Sequence, residues 1–419
     1  MKRFTVRLLI AGALFGVLSF SLQLFDPLPW TGFLTSHAQE RQTQKFFVFD
    51  GHSHPTSTAY RRGSNIGDPN SSPQFSLSMA RQGGLGASFF NTSIDEFYEA
   101  NHIAVKELLR QFDHFYRQLA LYPDQVGVAT SGDEVRALQK QGKLAAIPAI
   151  EGAIAIESDL GVLRMMYRLG LREMNLVHNL ENNIGDVQYT TKNNGRGSGL
   201  TGYGRELVAE MNRLGIVIDM SHMAEQTAWD VMKVSTQPVV TTHSGVRALV
   251  KRPGTWSDEM IQELAQKGGV ICIPFLLPQL ISQEYHNKWH AGRPPRGSGL
   301  MGWEPLVYRG DPTKIYDFIA ERTGDPQAGQ SERTRQRQLD RPPLSNLIDA
   351  IDHVVRLVGA DTVGISSDAG GDRVNVQGIE NVGEYQNIAQ ALLKRGYSEG
   401  DVAKIMGENL LRIFDQVTR

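Results

Sequence analysis

Eight short runs of apolar residues recur along the chain, and stretches with helical spacing separate most of them. A continuous apolar run of this kind is typical of a strand covered on both faces, as in a parallel sheet. Eight such strands alternating with helices predict an α/β fold, and specifically a closed (β/α)8 TIM barrel. The runs span residues 46–49, 85–90, 144–150, 172–177, 216–220, 238–242, 269–274 and 362–366.

Ionisable side chains follow directly on six of these runs. The first run delivers two histidines at spacing i, i+2, so on an extended backbone both rings point to the same side. In a TIM barrel all strand ends converge on one face, where the active site is built. We therefore expect side chains that are scattered in sequence to meet in space, namely His52, His54, Glu151, His178, His222, His243 and Asp368.

Two long stretches between the runs do not fit the strand pattern. Residues 275–345 separate the seventh and eighth runs, and we interpret them as an insertion with some helix, for example over 314–320. This insertion has two interpretations, and the sequence leaves both open. It is a solvated surface excursion, or it has a function as a lid over the barrel mouth or as an oligomer contact. Residues 55–73 are rich in Gly, Ser, Asn and Arg, and we expect them to form a long loop.

The first 38 residues are not expected to belong to the barrel. Lys2, Arg3 and Arg7 precede an apolar stretch, and Ser36-His37-Ala38 offers a small-x-small cleavage site. This arrangement is typical of a secretory signal, so we expect an exported protein, periplasmic or otherwise extracytoplasmic. Residues 39–419 would then form one barrel domain. An uncleaved N-terminal membrane anchor is the alternative.

Composition removes several classes of partner and of chemistry. The 419-residue chain has a formal net charge of −2, which gives no electrostatic case for binding nucleic acid or an anionic membrane surface. Cys272 is the only cysteine, so no intrachain disulfide is possible. Because it lies within an apolar run, we predict a buried packing thiol.

The residues predicted at the strand ends suit a divalent metal of the zinc kind. One glutamate can bridge two metal ions that are each also held by two imidazoles. Such a pair polarises an acyl oxygen and generates a hydroxide nucleophile near neutral pH. Asp368 has no neighbouring histidine in sequence and is the natural group to take and return the proton. No Gly-x-Ser-x-Gly elbow occurs at a helix start, so covalent acyl-enzyme chemistry is not expected.

Several motifs together resemble the membrane dipeptidase (renal dipeptidase) family of zinc peptidases, which are amidohydrolase-type, metal-dependent hydrolase barrels. The resemblance covers residue 46 to the C-terminus apart from the insertion, and the stretch 199–222 is its most specific part. The matching pieces are Asp50-Gly-His52, 83–90, Glu151-Gly152, 169–179, 199–222, 242–249, 363–368 and 407–414.

This resemblance implies a role for each residue of the cluster. His52 would bind the first of two zinc ions, Glu151 would bridge both, and His222 with His243 would bind the second. His178 would contact the substrate and the oxygen of the tetrahedral intermediate, and Asp368 would be the proton shuttle. The implied substrates are dipeptides, often with a D-residue on the C-terminal side, and for some members β-lactams. A homodimer is a further implication of the resemblance.

Two positions depart from the pattern of the resembled family. The family has His-x-Asp where this chain has His54, which remains a good zinc ligand but removes one negative charge. The family also has an arginine that pairs with the terminal carboxylate of the substrate, and that position is Gly254 here. We expect Arg252 or Arg247 to supply the substrate-binding cation instead, although an arginine–carboxylate pair is sensitive to geometry.

Three functions remain open from the sequence. The first is an exported zinc dipeptidase that hydrolyses the peptide bond of dipeptides. The second, suggested by His54 and Gly254, is a binuclear amidohydrolase acting on another amide, lactam or lactone. The third is a non-catalytic ligand-binding barrel that has kept the scaffold.

Overall fold

The computed structural model describes residues 46–94, 102–179, 182–275, 277, 280–290, 339–370 and 374–419. The predicted N-terminal segment 1–38, the predicted helix 314–320 and most of the predicted insertion lie outside these residues. Among the described helices, none has the length and apolar character that a membrane span needs.

Eight parallel strands close into a barrel, which confirms the predicted fold. Each apolar run of the sequence contributes one strand. The pairing of residues 87–93 with residues 145–151, which belong to the strands of the second and third runs, completes the ring. The barrel strands are β1 (Val48–Ser53), β2 (Leu85–Ser93), β4 (Leu144–Glu151), β5 (Glu173–Asn175), β6 (Val217–Asp219), β7 (Val240–Thr241), β10 (Val270–Pro274) and β11 (Val363–Ser366).

Three further short strands lie beside the barrel ring. The strand β3 (Val126–Val128) pairs with residues 144–146 of β4 and leaves residues 149–151 to β5. The strands β8 (Gly245–Val246) and β9 (Thr255–Trp256) form a separate parallel pair that closes the loop following β7. That loop carries Arg247, Arg252 and Gly254.

Thirteen α-helices are described, and most of them pack around the barrel as its outer layer. They are α1 (Pro55–Arg62), α2 (Leu77–Gly83), α3 (Ala104–Ala120), α4 (Gly132–Lys140), α5 (Leu160–Arg168), α6 (Gly202–Leu214), α7 (Glu225–Val234), α8 (Asp258–Gln266), α9 (Gln283–His290), α10 (Leu344–Val358), α11 (Tyr385–Arg395), α12 (Glu399–Ala403) and α13 (Asn409–Val417). Hydroxyl caps start several of them; Ser131, for example, accepts a hydrogen bond from the backbone N–H of Glu134.

The expectation of a loop over 55–73 is wrong for its first part, because α1 begins at Pro55. Proline has no N–H to donate and its fixed φ suits the first helical turn, so the residue that marked a loop in the sequence opens a helix. Gly63, at φ 61°, then ends the helix in the left-handed conformation. This short helix follows immediately on His54 and fixes the direction in which the chain leaves the barrel mouth.

Apolar side chains fill the barrel interior at the end away from the carboxyl ends of the strands. Phe49 and Phe89 pack with ring centroids 5.1 Å apart, and Phe414 of α13 packs against both of them. Cys272 is fully buried in the same cluster and unbonded, as predicted, and burial raises the pKa of its thiol well above the usual value. This packing closes one end of the barrel and leaves the carboxyl ends of the strands for polar residues.

Candidate metal centre

The strand ends carry the predicted polar residues to one face of the barrel. His52 lies within β1 and His54 directly after it, while Glu151 is the last residue of β4. The other four lie no more than three residues beyond β5, β6, β7 and β11, and they are His178, His222, His243 and Asp368. Because these strands are parallel neighbours in a closed ring, their ends meet in space.

Glu151 is the centre of the cluster and is only 4% exposed. Its Oε1 lies 3.2 Å from Nε2 of His222 and 3.5 Å from Nε2 of His52. The Nε2 atoms of His178 and His243 are both 3.6 Å from the same oxygen. Its Oε2 lies 3.5 Å from Nε2 of His54. All five predicted histidines therefore turn their Nε2 atoms towards one buried carboxylate.

The ligand atoms fall into two groups that share this glutamate. His52, His54 and Glu151 form one group, and Glu151, His222 and His243 form the other, each with its possible ligand atoms within 4.8 Å of one another. Within the pairs, the Nε2 atoms are 3.1 Å apart for His52 and His54 and 2.8 Å apart for His222 and His243. Imidazole and carboxylate donors converging in this way suit a divalent metal of the zinc kind.

The opposite ring nitrogens, Nδ1, contact protein groups that orient the imidazoles. Nδ1 of His54 lies 3.1 Å from the backbone carbonyl oxygen of Asn91, which can only accept, so the ring donates from Nδ1. Nδ1 of His222 lies 2.9 Å from the side-chain amide of Gln188. Such outer partners fix the tautomer and direction of a metal-binding histidine.

Burial and the central carboxylate set the protonation states of the cluster. Burial lowers the pKa of His52, His178, His222 and His243, so their rings are neutral and able to bind a metal. Burial also raises the pKa of Glu151, but the surrounding histidines outweigh it and hold that pKa well below its usual range. Glu151 is therefore ionised.

His54 and Asp368 form a buried pair at the edge of the cluster. Nε2 of His54 lies 3.4 Å from Oδ1 of Asp368. Burial lowers the pKa of His54, but the hydrogen bond to Asp368 and the charge of Glu151 raise it above its usual value. Burial raises the pKa of Asp368, but the same hydrogen bond lowers it overall.

Two residues of the cluster have strained backbones. His222 has φ 65° and Asp368 has φ 55°, both in the left-handed region that favours glycine. Hydrogen bonds hold each in place, since the carbonyl of His222 accepts from the N–H of Gln188 and the N–H of Asp368 donates to the carbonyl of His52. Strain of this kind persists where the surrounding structure over-determines it, often at functional sites.

Asp219, His52 and His243 form a third group whose possible ligand atoms lie within 4.8 Å of one another. The oxygens of Asp219 are already occupied, however. Oδ1 accepts from the N–H and hydroxyl of Ser221 and from the N–H of Thr242, and Oδ2 accepts from the hydroxyl of Thr242 and the amide of Asn175. Because its two oxygens already accept five hydrogen bonds, we expect Asp219 to position the groups around the cluster and not to bind a metal itself.

The two predicted substrate-binding arginines differ in their contacts. Arg247 forms an ion pair with Glu225 at 2.7 Å and donates two further bonds to the carbonyl of Thr255. Arg252 donates to the hydroxyl of Tyr189 at 3.0 Å, and its buried Nε has no hydrogen-bond partner among the described residues. Only Arg252 therefore keeps hydrogen-bonding capacity to spare.

Sequence reasoning missed the residues that orient the histidines. Asn91, Gln188, Asp219 and Thr242 all contact imidazoles or their supports. Asn91, Asp219 and Thr242 do lie in or directly after apolar runs, which is the signal that could have found them. Gln188 lies in a long Asn- and Gly-rich stretch and carries no such signal.

A closed (β/α)8 barrel with five histidines around a buried glutamate at its strand ends defines a metal-dependent hydrolase of the amidohydrolase type. The sequence profile described as membrane dipeptidase (peptidase family M19) matches residues 37–419. The chain belongs to this family, which confirms the resemblance noted from the motifs. It is accordingly a hydrolase of the metallo-dipeptidase class.

Individual relatives and structures agree with this assignment. The chain is 29% identical over 343 residues to dipeptidase tcpJ of Claviceps purpurea (strain 20.1), covering 80% of this chain and 67% of that protein. The crystal structure of the probable dipeptidase PvdM from Pseudomonas aeruginosa is similar with a TM-score of 0.70 and 26% identity, over 89% of this chain and 96% of that one. A metallopeptidase from Rhodobacter sphaeroides, solved with a phosphinate mimic of L-Ala-D-Ala, shares the fold with a TM-score of 0.69 and 21% identity, over 89% of this chain and 100% of that one.

Proposed function

We propose that this protein is a zinc-dependent dipeptidase that binds two metal ions and hydrolyses dipeptides, including dipeptides with a C-terminal D-residue. The observation that carries the proposal is the position of Glu151 between two pairs of histidines. His52 and His54 lie on one side and His222 and His243 on the other. The D-residue part rests on the family resemblance.

In this proposal His52, His54 and Glu151 hold the first ion, and Glu151, His222 and His243 hold the second. When bound, two such ions polarise the acyl oxygen and make a water molecule nucleophilic near neutral pH. Of the four histidines that would hold the ions, His52, His222 and His243 are neutral in this buried cluster, so only His54 has to release a proton on binding.

Asp368 and His178 supply the remaining groups of the proposed mechanism. Asp368 has a lowered pKa and is therefore ionised, so it can take a proton from water and return it to the leaving amine. His178 is the most exposed of the five histidine side chains, at 23%, and it faces Glu151 from the mouth. A neutral imidazole keeps one N–H, which His178 can donate to the oxygen that gains charge on the acyl group.

Arg252 is the proposed partner of the substrate's terminal carboxylate. Among the described residues its guanidinium has no carboxylate partner, and its buried Nε has no hydrogen-bond partner. Its hydrogen-bond partner Tyr189 directly follows Gln188, which contacts His222 of the second metal-binding pair. Arg247 is already bonded to Glu225 and to the carbonyl of Thr255, which argues for a structural role for that residue.

One observation favours the alternative of an amidohydrolase acting on another amide, lactam or lactone. Position 254, where the resembled family has its carboxylate-binding arginine, is a glycine packed against Gln188. If Arg252 does not reach the substrate, no free carboxylate is required for binding. Cyclic or blocked amides would then be the substrates of the same cluster.

Export is a separate proposal that rests on the basic and apolar N-terminal segment with its site after Ala38. Expression of the full chain followed by mass analysis of the mature N-terminus tests it. A mature protein that begins at Gln39 supports cleavage, and an intact N-terminus recovered with membranes supports the anchor.

Hydrolysis of a dipeptide panel tests the main proposal. Protein from Gln39 onward is assayed on dipeptides with L- or D-residues at the C-terminal position, with added zinc, after chelation, and as the Asp368→Asn variant. We expect zinc-dependent cleavage that the variant loses, together with two zinc ions per chain. Two ions without dipeptide turnover would favour the amidohydrolase alternative, and no bound metal would favour a non-catalytic barrel.

A further inference from the structure

One hydroxyl group lies between the two halves of the metal centre. Oγ1 of Thr242 is 3.1 Å from Nδ1 of His52 and also 3.1 Å from Nδ1 of His243. These two histidines belong to different ligand groups, one on each side of Glu151. Thr242 is fully buried, as is His52, so water does not compete for these contacts.

We propose that Thr242 is a shared positioning residue, whose hydroxyl oxygen accepts a hydrogen bond from Nδ1–H of both His52 and His243 and thereby orients one ligand of each metal ion. This inference rests on the binuclear centre of the proposed function. It adds a second link between the two ion sites, besides the shared Glu151.

The proton count of the hydroxyl supports this assignment. Oγ1 of Thr242 lies 2.6 Å from Oδ2 of Asp219, a short contact of the kind made by a hydroxyl donating to a carboxylate. Because a hydroxyl has one proton and two lone pairs, donation to Asp219 leaves Oγ1 only as an acceptor. Two imidazoles can then donate to it, and each must carry its proton on Nδ1.

The consequence for the metal centre is direct. An imidazole protonated on Nδ1 has its lone pair on Nε2, which is the atom that faces Glu151 in both rings. The hydroxyl therefore selects the metal-binding tautomer of His52 and His243 at once. Asp219 holds the hydroxyl, and its five donors keep it in that position.

Asn91 fits the same assignment once its amide is oriented by the network. Nδ2 of Asn91 lies 3.0 Å from Nδ1 of His52, and Oδ1 is buried without a partner among the described residues. Amide oxygen and nitrogen are assigned from their surroundings. With the oxygen towards His52, Asn91 becomes a second acceptor for the same Nδ1–H, as a metal-binding His52 requires.

Substitution of Thr242 tests the proposal in the whole protein through metal affinity. Thr242→Val keeps the shape and removes the acceptor, whereas Thr242→Ser keeps the hydroxyl. Thr241→Val is the matched control, because that neighbouring hydroxyl contacts Ser244 and Ser221 and no imidazole of a described residue. Zinc affinity of each ion is measured by dialysis against zinc buffers, with folding checked by circular dichroism.

We expect Thr242→Val to lower the zinc affinity of both ion sites by about 10- to 100-fold. This is the usual effect of removing an outer partner of a metal-binding histidine. Thr242→Ser should recover most of that loss, and Thr241→Val should bind both ions as the parent does. Normal affinity in Thr242→Val, or a loss confined to one ion, would overturn the proposal.

Nitrogen-15 NMR of histidine rings in the zinc-loaded parent protein provides a test that needs no folded variant. Both His52 and His243 should carry a proton on Nδ1, and a ring without one would contradict the shared hydroxyl. Neither measurement uses dipeptide turnover. A protein that binds two ions but cleaves no dipeptide therefore overturns the proposed substrate and leaves the role of Thr242 intact.

Discussion

Gln188 occupies the space that a side chain at position 254 would need. A Cβ atom on Gly254 would lie 1.6 Å from Oε1 of Gln188, and the φ of +80° at Gly254 also disfavours any other residue. The side-chain amide of the same Gln188 lies 2.9 Å from Nδ1 of His222, and a His222 that binds metal through Nε2 needs the oxygen of that amide on this side. Gln188 therefore contacts both Gly254, at the position of the family's arginine, and His222, a proposed metal ligand.

Gly254→Arg should therefore lower activity and not restore a familiar carboxylate site. The new side chain must displace Gln188, which loosens His222 and weakens the second ion. We expect a fall in bound zinc towards one ion per chain and a loss of kcat/KM of about tenfold or more, as for other outer partners of a metal. Metal analysis and steady-state kinetics check this.

Two glycine controls separate crowding from backbone strain. Gly254→Ala adds only the Cβ that meets Gln188, whereas Gly142→Ala imposes a similar strain at φ +70° with nothing within 4 Å of its Cβ. Only the first should change zinc content. A Gly254→Arg protein that binds two ions and cleaves dipeptides better would show that Gln188 can move freely.

The two arginines of the same loop should give different phenotypes. Arg252→Met removes the guanidinium that is free to meet a carboxylate, so KM for dipeptides should rise by about tenfold or more, in line with a charge-assisted bond worth roughly 1.5–3 kcal/mol. Arg247→Met breaks the bonds to Glu225 and Thr255 and should lower the free energy of unfolding instead. Kinetics and urea unfolding of both variants distinguish these outcomes.

Blocked substrates provide the decisive comparison for Arg252. A dipeptide amide lacks the terminal carboxylate, so Arg252→Met should affect its hydrolysis little. Equal losses on the free dipeptide and on its amide would mean that Arg252 only shapes the loop.

The sequence identified the residues that meet in the cluster because each lies next to an apolar run that marks a barrel strand. It was uninformative about their supports, because those contacts join residues far apart in the chain. Thr242 and His52 are 190 positions apart, and no local pattern pairs them. The loop expected over 55–73 failed for a different reason: Pro55 can both break a helix and open one, and only the neighbouring backbone decides.

The buried carboxyl group of Glu173 should make the free energy of unfolding fall as pH rises. It is fully buried at the level of Ala149 and Val217 inside the barrel, with no partner for either oxygen among the described residues. Burial, with the nearby charges of Asp219 and Glu151, raises its pKa well above the usual value, so the folded protein holds it neutral. The unfolded chain ionises it above its ordinary pKa of about 4.3.

The sign follows from proton binding. Above the unfolded pKa the unfolded state binds fewer protons than the folded state, so stability falls as pH rises until the folded pKa is reached. Glu173→Gln removes this dependence. Its free energy of unfolding relative to the parent should therefore improve by up to about 1.4 kcal/mol per pH unit above pH 5. Urea unfolding of both proteins in chelator at several pH values measures the difference, and a pH-independent difference would mean that Glu173 is ionised when folded.

His54→Asp should make folding more dependent on metal. His54 stands 3.5 Å from Glu151 and 3.4 Å from Asp368, and these carboxylates raise its pKa, so without metal it carries a proton between them. An aspartate there would face two carboxylates without a cation. We expect metal-free His54→Asp to lose on the order of 3 kcal/mol of stability, the cost of an uncompensated buried charge, and zinc to recover most of it.

His54→Asn is the control that separates charge from ligation, since it removes the imidazole without adding a carboxylate. It should bind zinc poorly and yet be more stable than His54→Asp when metal is absent. The metal-free parent should itself lose stability as pH rises from about 6.5 through the raised pKa of His54, because the proton that compensates the two carboxylates is then released. Thermal unfolding with and without zinc, at pH 6 and pH 8, checks both statements. If metal-free His54→Asp were as stable as the parent at both pH values, a charged His54 would not be compensating the charges of Glu151 and Asp368. The imidazole would then act in this centre only as a ligand.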